Sequence, residues 1–464
     1  MTPARKSSLG AVAVVVAFAW PAAYSADLAA QTESPRPNVI FITLDDMNDK
    51  ISAYGSDLVR TPQIERLAAR GVRFDRAYCQ NPFCMPSRTS FLSGRRPGTL
   101  QKELRDAAWM PHYFREQGYF TAAVGKVVHS VGFASTQVEF ELTEGDPKPA
   151  LSERDRDDPD ANFNGGRVVR RTIELMEQPR DRPFFIAVGL KEPHSGWRVP
   201  AKYYEAYPPE KVVLREEPAE HRKDIPAVAR AWDQTRPEHD EWTDEQKRKR
   251  IADFQARYAY TDAQLGVLLD ALDRMKLWEN TVVLLVGDHG MHFGEHGFWG
   301  KRSLFEESCR IPLIVAAPGV RGGRVSPRLV EHIDVYPTLA DACGLPVPDS
   351  IEGTSFVPLL KDPERPWKKA AFTQTERPLP GQTVENPSEA QRALDEEKPQ
   401  VIGRRVRTER YAYVEWGDEK TAQLYDLEAD SHEYVNFIGS AAHRDVLAEM
   451  RRLLKGGWKA AAPK

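Results

Sequence analysis

Four short apolar runs, each followed at once by polar residues, constrain the fold of this chain more than any other feature. The runs are continuous and rich in β-branched residues, which is typical of strands buried on both faces of a mostly parallel sheet. In an open α/β sheet, sites form beyond the carboxyl ends of the strands. We therefore expect the polar residues after the runs to meet in one crevice. The runs are residues 38–43, 120–124, 184–188 and 281–286.

The segments between these runs predict helices that cover the sheet. Residues 61–69 have a helical pattern and precede a short strand at 72–77. Residues 258–275 carry leucines at helical spacing, and residues 334–343 predict a further helix that stops at Gly344. The sequence thus predicts an α/β fold with a large mixed, mostly parallel sheet flanked by helices.

The character of the sequence changes towards the C-terminus. Residues 378–399 are rich in Pro and Glu, which predicts a loop, and residues 401–416 are typical of paired strands. A helix at 445–454 would close the fold. We therefore predict a main domain over 36–364 and a smaller C-terminal α+β subdomain, with an antiparallel sheet, over 365–464.

Residues 205–250 differ from the segments around them. They are dense in charge and Pro and have few apolar positions. We interpret them as a surface excursion, and the sequence leaves open whether it covers the crevice or is a solvated loop with no role.

Residues 1–26 are typical of a secretory signal. Basic residues at 5 and 6 precede an apolar run at 9–20, and Ala23-Tyr24-Ser25 gives a small-x-small cleavage site. The run of about 12 residues is too short to span a bilayer, so we expect no stable membrane insertion, with an uncleaved membrane anchor as the alternative. We predict an exported protein, either periplasmic or secreted.

The charge balance argues against a nucleic-acid-binding protein. Charged residues make up 28% of the chain and the net charge is −4, so the chain lacks the excess of positive charge that general nucleic-acid binding requires. Any site for an anion must therefore be a local cluster of Arg, Lys and His.

Cys84 lies in a short motif that carries a resemblance to a known family. The motif is Cys84-Met85-Pro86-Ser87-Arg88, with Gly94-Arg95 downstream. A lone cysteine is usually a small buried apolar residue, but this pattern resembles the signature of the formylglycine-dependent sulfatases, the type I sulfatases of the alkaline phosphatase superfamily. The resemblance implies an alkaline-phosphatase-like fold. It also implies that a formylglycine-generating maturation enzyme oxidises Cys84 to an aldehyde, whose hydrate is the nucleophile.

The motif also predicts a helix. Pro86 would fall in its first turn, and Gly94 would end it. Cys84 would then lie at a helix N-terminus, where free N–H groups favour anions. Arg88, one turn later, would lie on the same face. We expect Arg88 to fix the hydrated aldehyde and neutralise charge, with a structural salt bridge as the alternative.

Two pairs of residues form a candidate metal site. Asp45 and Asp46 follow the first apolar run, and Asp288 and His289 follow the fourth. Paired Asp residues also occur in turns and caps, but carboxylates in matching positions give an oxygen-rich site that suits Ca²⁺, with Mg²⁺ as the alternative. The resemblance adds Cys84 to the ligands. His289 is softer than the Asn common in sulfatases, which leaves the identity of the metal open.

Four cationic residues complete the candidate site. Each alone is more often a solvated or core side chain, but together they supply the charge that a dianionic transferring group requires. The resemblance implies that Lys126 and Lys301 stabilise the sulfate oxygens. It implies that His194, with Lys301, protonates the leaving alcohol, and that His129 takes the proton whose loss expels sulfate.

Several motifs resemble the iduronate-2-sulfatase-like branch of the family. This resemblance extends from Arg36 to about Phe437 and implies a sulfated carbohydrate substrate, for example a 2-O-sulfated uronic acid in a glycosaminoglycan or related sulfated polysaccharide. No motif identifies the sugar itself. The motifs are Gly94-Arg95-Arg96-Pro97, Gly125-Lys126-Val127-Val128-His129, and Asp288-His289-Gly290 with Gly294-Glu295-His296-Gly297.

Two other functions remain open from the sequence. A phosphoesterase or phosphonate monoester hydrolase of the same superfamily would share the sheet and the metal site, and relative rates on sulfate and phosphate esters would separate it. A protein that keeps Cys84 as a thiol would be a non-catalytic binder of sulfated glycans, and the mass of the peptide that contains Cys84 would reveal it.

Overall fold

Strands form where the sequence places its continuous apolar runs. The computed structural model describes residues 36–97, 109–129, 140–142, 158–194, 196–218, 220–230, 241–378 and 400–463. The predicted signal at 1–26 and almost all of the predicted loop at 378–399 lie outside the described residues. The strands are β1 (Asn38–Leu44), β2 (Val72–Tyr78), β3 (Phe120–Gly125), β4 (Phe140–Leu142), β5 (Phe184–Leu190), β6 (Thr281–Gly287), β7 (Leu313–Ala316), β8 (Arg324–Glu331), β9 (Ala371–Pro378), β10 (Gln400–Arg407), β11 (Tyr411–Trp416) and β12 (Asp418–Asp426).

Eight of these strands form one large sheet in the order β4-β3-β5-β1-β6-β7-β2-β8. All neighbours are parallel except β7, which is antiparallel to both β6 and β2. Every residue of β5 and β6 is buried, because both faces of the sheet are covered. The predicted mixed, mostly parallel sheet is confirmed.

The strand register brings the ends of four strands to one edge. Leu44 at the end of β1 pairs with Leu190 of β5 and with Gly287 of β6. Gly125 at the end of β3 pairs with Gly189 of β5. The polar residues that follow each strand therefore emerge side by side.

Two glycines allow β3 and β5 to approach closely at this edge. Gly125 has φ +79°, and a Cβ there would lie 2.3 Å from the Gly189 carbonyl oxygen. A Cβ on Gly189 would lie 2.1 Å from the carbonyl group of Lys126. Only glycine fits both positions, so the pair fixes the path of the chain into Lys126.

Helices cover both faces of the large sheet. Alternate residues of β1 face opposite layers: Ile40 and Ile42 pack in one core and Val39 and Phe41 in the other. The helices are α1 (Pro62–Arg70), α2 (Cys84–Ser93), α3 (Met110–Glu116), α4 (Asn164–Glu177), α5 (Ala201–Ala206), α6 (Ala227–Arg230), α7 (Asp244–Arg274), α8 (Glu306–Cys309), α9 (Val335–Ala342), α10 (Val357–Lys361) and α11 (Arg444–Ala461).

Helix α7 begins well before its predicted start at residue 258, so that prediction was wrong. Thr243 and Gln246 form a capping box, with the Gln246 amide donating to Thr243 Oγ1 at 3.3 Å. The charged residues that follow are good helix formers. Residues 244–250, the last part of the stretch interpreted as a surface excursion, therefore form the first turns of this helix.

The C-terminal residues form the predicted antiparallel sheet, in the order β12-β11-β10-β9, against which α11 packs. Pro37–Lys464 forms one compact unit. No helix among the described residues is both long enough and apolar enough to cross a bilayer.

Candidate active site

Cys84 is the first residue of α2 and is 1% exposed. Phe83 before it is extended, with φ −144° and ψ 138°, and Gly94 ends the helix at φ +67°, where its amide donates to the Ser90 carbonyl at 2.8 Å. The helix predicted from the motif is therefore present. Its free N–H groups surround Cys84 with partial positive charge.

Three carboxylates lie together beside Cys84. Oxygen atoms of Asp45, Asp46 and Asp288 lie within 4.8 Å of one another, and all three residues are buried. Asp46 adopts φ +59°, an unfavourable conformation for a non-glycine residue. Its backbone amide donates to Asp288 Oδ1 at 2.9 Å, and its carbonyl accepts from the Tyr258 hydroxyl at 2.8 Å, so long-range contacts hold it in place.

His289 joins this cluster through Nε2. That nitrogen lies 3.2 Å from Cys84 Sγ and 3.3 Å from Asp46 Oδ1. Nδ1 donates to the Gly290 carbonyl at 3.0 Å, which fixes the ring with Nε2 towards the carboxylates. A histidine oriented in this way by a backbone carbonyl is typical of a metal ligand.

Arg88 is fully buried between two of the carboxylates. Its Nε donates to Asp288 Oδ2 at 2.9 Å and its Nη2 to Asp45 Oδ1 at 3.2 Å. Nη1 donates to Thr43 Oγ1 at 3.2 Å and to the Lys126 carbonyl. Arg88 thus makes structural salt bridges, the alternative left open by the sequence, while its charge remains beside Cys84.

Lys126 and Lys301 reach the cluster from different parts of the chain: Lys126 follows β3, and Lys301 lies between β6 and α8. Lys126 Nζ lies 2.5 Å from Asp45 Oδ2, and Lys301 Nζ lies 2.6 Å from Asp46 Oδ1 and 3.1 Å from Cys84 Sγ. Burial opposes ionisation of Cys84, but Lys301, Lys126 and His289 outweigh it and hold the pKa of the thiol well below its usual range. This corner of the site therefore stabilises negative charge.

Two further histidines flank Cys84. His194 Nε2 lies 3.8 Å from Asp46 Oδ2, and the Asp46 charge raises the pKa of His194. His129 lies within hydrogen-bonding reach of the Cys84 thiol, and its buried Nδ1 has no hydrogen-bond partner. The structure thus brings together every residue that the sequence assigned to the candidate site.

The donor set fits a hard divalent cation. Three carboxylates and one imidazole nitrogen converge, and oxygen-rich clusters of this kind suit Ca²⁺ or Mg²⁺. Burial, with the charges of Asp45 and Cys84, raises the pKa of Asp288 to about 6 although Arg88 is bonded to it. Burial would also raise the pKa of Asp45, but Lys126 and Arg88 lower it. A cation bound beside Asp288 would offset the cost of burying its charge.

Several supporting residues were missed from the sequence. Ser87 donates to the Asp288 carbonyl and lies 3.1 Å from His332 Nδ1, and His332 Nε2 donates to the Gly287 carbonyl at 2.7 Å. These contacts hold α2 against the end of β6. Ser87 stands in the cysteine motif, but no local pattern marks His332 or Tyr258.

The sheet, its helices and the antiparallel C-terminal sheet form the alkaline-phosphatase-like fold. Two solved structures share it at low sequence identity. The phosphonate monoester hydrolase of Agrobacterium radiobacter has a TM-score of 0.73 and 23% identity, covering 90% of this chain and 95% of that one. BT4656, solved with its substrate D-glucosamine-2-N,6-O-disulfate, has a TM-score of 0.70 and 22% identity, covering 91% and 97%.

Residues 37–345 match the model of the sulfatase family. The chain belongs to this family and is a sulfuric ester hydrolase. Iduronate 2-sulfatase of Mus musculus is 28% identical over 522 residues, which covers 89% of this chain and 93% of that protein. The resemblance to the iduronate-2-sulfatase-like branch is thereby confirmed.

Proposed function

We propose that this protein hydrolyses sulfate esters on a sulfated uronic acid or a polysaccharide that contains it. The observation that best supports this proposal is the environment of Cys84. This residue lies at a helix N-terminus, with Lys301 Nζ at 3.1 Å and His289 Nε2 at 3.2 Å from its sulfur atom. Positive charge focused on a buried nucleophile suits an anionic sulfate. Similarity to an iduronate 2-sulfatase, and in fold to BT4656 with its disulfated glucosamine, supports this substrate class.

The proposed metal ligands are Asp45, Asp46, Asp288, His289 and the residue derived from Cys84. We propose Ca²⁺, with Mg²⁺ as the alternative, because carboxylate oxygens dominate the set. When bound, the metal supplies Lewis-acid activation and neutralises charge on sulfate. Arg88 keeps two of the carboxylates, Asp45 and Asp288, aligned for it.

A formylglycine hydrate at position 84 would supply two hydroxyls: one that loses its proton to solvent beside Lys301 and His289 and attacks sulfur as an alkoxide, and a second whose deprotonation releases sulfate. Lys126 and Lys301 bind sulfate oxygens and stabilise their charge. As the bond between sulfur and the leaving oxygen breaks, His194 donates a proton to that oxygen. His129 takes the proton from the second hydroxyl, so that the carbon–oxygen bond to sulfate breaks and the aldehyde returns.

Maturation and export complete the proposal. A formylglycine-generating enzyme is the partner that would convert Cys84. Residues 1–26 would direct export to a periplasm or out of the cell, and determination of the N-terminal residue of the mature protein tests this.

Replacing His194 with alanine should discriminate between leaving groups. We expect a loss of about 10²–10⁴-fold in kcat on an alkyl sulfate and a smaller loss on an aryl sulfate, because a good leaving group needs no proton. Steady-state kinetics on both substrates measure this. His443→Ala, in the C-terminal part of the chain, is the control and should change neither rate. Equal losses on both substrates would rule out His194 as the general acid.

A comparison of ester types tests the function itself. With one common leaving group, kcat/KM on the sulfate ester should exceed that on the phosphate ester and the phosphonate monoester by at least about 10²-fold, a difference of roughly 2.7 kcal/mol in transition-state binding. The alternative, a phosphonate monoester hydrolase, rests on the fold shared with the Agrobacterium enzyme. A preference for the phosphonate would establish that alternative.

A further inference from the structure

One face of helix α7 leads from a pair of arginines to the candidate active site. Arg250, Phe254, Arg257 and Tyr258 are spaced four, three and one residues apart, which places them on one side of the helix. Tyr258 donates its hydroxyl to the Asp46 carbonyl at 2.8 Å. The two arginines therefore lie on the face of α7 that reaches, at Tyr258, the loop that carries a proposed metal ligand.

Both guanidinium groups pack on the same aromatic ring. The guanidinium carbon of Arg257 lies 4.6 Å from the centroid of the Phe254 ring, and that of Arg250 lies 4.7 Å from it. Phe254 is itself buried and packs on Phe293 at 5.0 Å. A cation–π contact orients each guanidinium, so both positive charges are held against the Phe254 ring rather than extending into solvent.

Arg257 is buried without a polar partner for most of its donors. It is 4% exposed, and its Nε and Nη2 have no hydrogen-bond acceptor. Among the described residues, no carboxylate lies within ion-pair distance of Arg257 or Arg250. A buried cation without a carboxylate or other acceptor is rare and costly.

The electrostatics of the pair favour an added anion. Burial lowers the pKa of Arg257, and the neighbouring charge of Arg250 lowers it further. The groups that act in the opposite sense are Asp253, Tyr204 and Asp46. Tyr204 belongs to α5, which packs against α7 and follows His194 in the chain.

We propose that Arg250 and Arg257 form a subsite for a second oxyanion of the substrate sugar, with the carboxylate of a uronic acid as the favoured group. His194 approaches Asp46 Oδ2 at 3.8 Å, and the leaving sugar lies on the His194 side of the sulfate if that residue protonates it. The planar fork of a guanidinium matches the geometry of a carboxylate. This inference rests on the proposed function and deepens it to the recognition of a doubly anionic sugar.

The test measures selectivity between matched sugars. The substrates are a 2-sulfated uronic acid glycoside, the corresponding neutral hexose 2-sulfate, and the same hexose with a second sulfate. For Arg257→Gln, we expect kcat/KM on the uronic acid to fall about 10–100-fold more than on the neutral hexose, because the variant leaves the carboxylate without its partner. Arg257→Lys should recover part of the loss. Lys249→Gln, which removes an exposed charge from the same helix, is the matched control and should keep the wild-type selectivity.

Each outcome decides the assignment. Selective loss on the uronic acid supports a carboxylate subsite, and selective loss on the disulfated hexose supports the same subsite with sulfate as its ligand. Equal losses on all three sugars would overturn the proposal, because a purely structural arginine would affect them alike. Arg250→Gln provides the same test if Arg257→Gln fails to fold.

Failure of the proposed function remains distinguishable from failure of the subsite. Wild-type protein that turns over none of these sulfate esters, with its aldehyde present, would overturn the function. Calorimetric titration of the Cys84→Ala protein with the three sugars does not depend on turnover. In that background, Arg257→Gln should weaken the binding of the anionic sugars about 10-fold or more relative to that of the neutral one. Equal weakening of binding for all three sugars would overturn the subsite but not the proposed function.

Discussion

Replacing Cys84 with alanine is expected to lower sulfate-ester turnover by at least about 10⁴-fold, the scale seen when a covalent nucleophile is removed. The lysines and the metal site would still bind sulfate, so substrate affinity should fall much less than kcat. Measured rates on an aryl sulfate, with inhibition by free sulfate as a report of binding, check both parts. Cys79→Ala is the matched control, since Cys79 is also buried and its thiol contacts the Ser308 carbonyl at 3.6 Å.

Cys84→Ser separates the proposed chemistry from simple nucleophilic catalysis. A serine can accept sulfate once, but it has no second hydroxyl with which to break the resulting carbon–oxygen bond. We expect at most one turnover per molecule, followed by a stable sulfated protein that mass spectrometry would detect. Continuous turnover by Cys84→Ser, or an active enzyme whose Cys84 peptide retains the thiol mass, would contradict the formylglycine mechanism.

The sheet was predictable because its strands are buried on both faces. In β1, β5 and β6, burial requires continuous apolar residues, and that pattern is visible locally. Parallel strands end at a common edge, so the positions of Asp45 and Asp288 followed from the sheet alone. The cluster of side chains proposed to bind the metal could thus be predicted from two residue pairs more than 200 positions apart.

Contacts between residues that are far apart in the sequence have no local sequence pattern of this kind. The hydrogen bond between the Tyr258 hydroxyl and the Asp46 carbonyl joins residues 212 positions apart, and no local sequence pattern predicts it. In the sequence, nothing distinguishes Arg257 from the other charged residues around it. The role proposed for it depends on its burial and on the lack of a carboxylate partner among the described residues, and both are properties of the packed structure.

The start of α7 was missed for a different physical reason. Its first turns are rich in charge, and amphipathic patterning detects only helices that bury one face. Thr243 and Gln246 supply the local signal, a capping box. Capping chemistry was therefore a better guide to this boundary than hydrophobicity.

Replacing Arg88 with methionine is expected to destabilise the protein by about 3–5 kcal/mol, the usual cost of removing one partner from a buried ion pair. The side chain is fully buried and bonds to both Asp45 and Asp288, so its loss leaves Asp288 without its guanidinium partner and removes one of the two cations bound to Asp45, the other being Lys126. Denaturant-induced unfolding measures the difference. Arg66→Met is the control, because Arg66 also contacts two carboxylates but is 31% exposed, and it should cost at most about 1 kcal/mol.

The deficit of Arg88→Met should depend on pH with a definite sign. The pKa of Asp288 in the folded protein is already raised to about 6, and loss of the guanidinium would raise it further. A carboxyl group with a raised pKa stabilises the folded state below its unfolded pKa, and this stability is lost as the pH rises through the folded pKa. The deficit is therefore expected to be larger at pH 8 than at pH 5, and to shrink at pH 8 when a divalent cation neutralises the carboxylates. A deficit that is equal at both pH values and insensitive to the cation would mean that Arg88 acts through packing rather than charge.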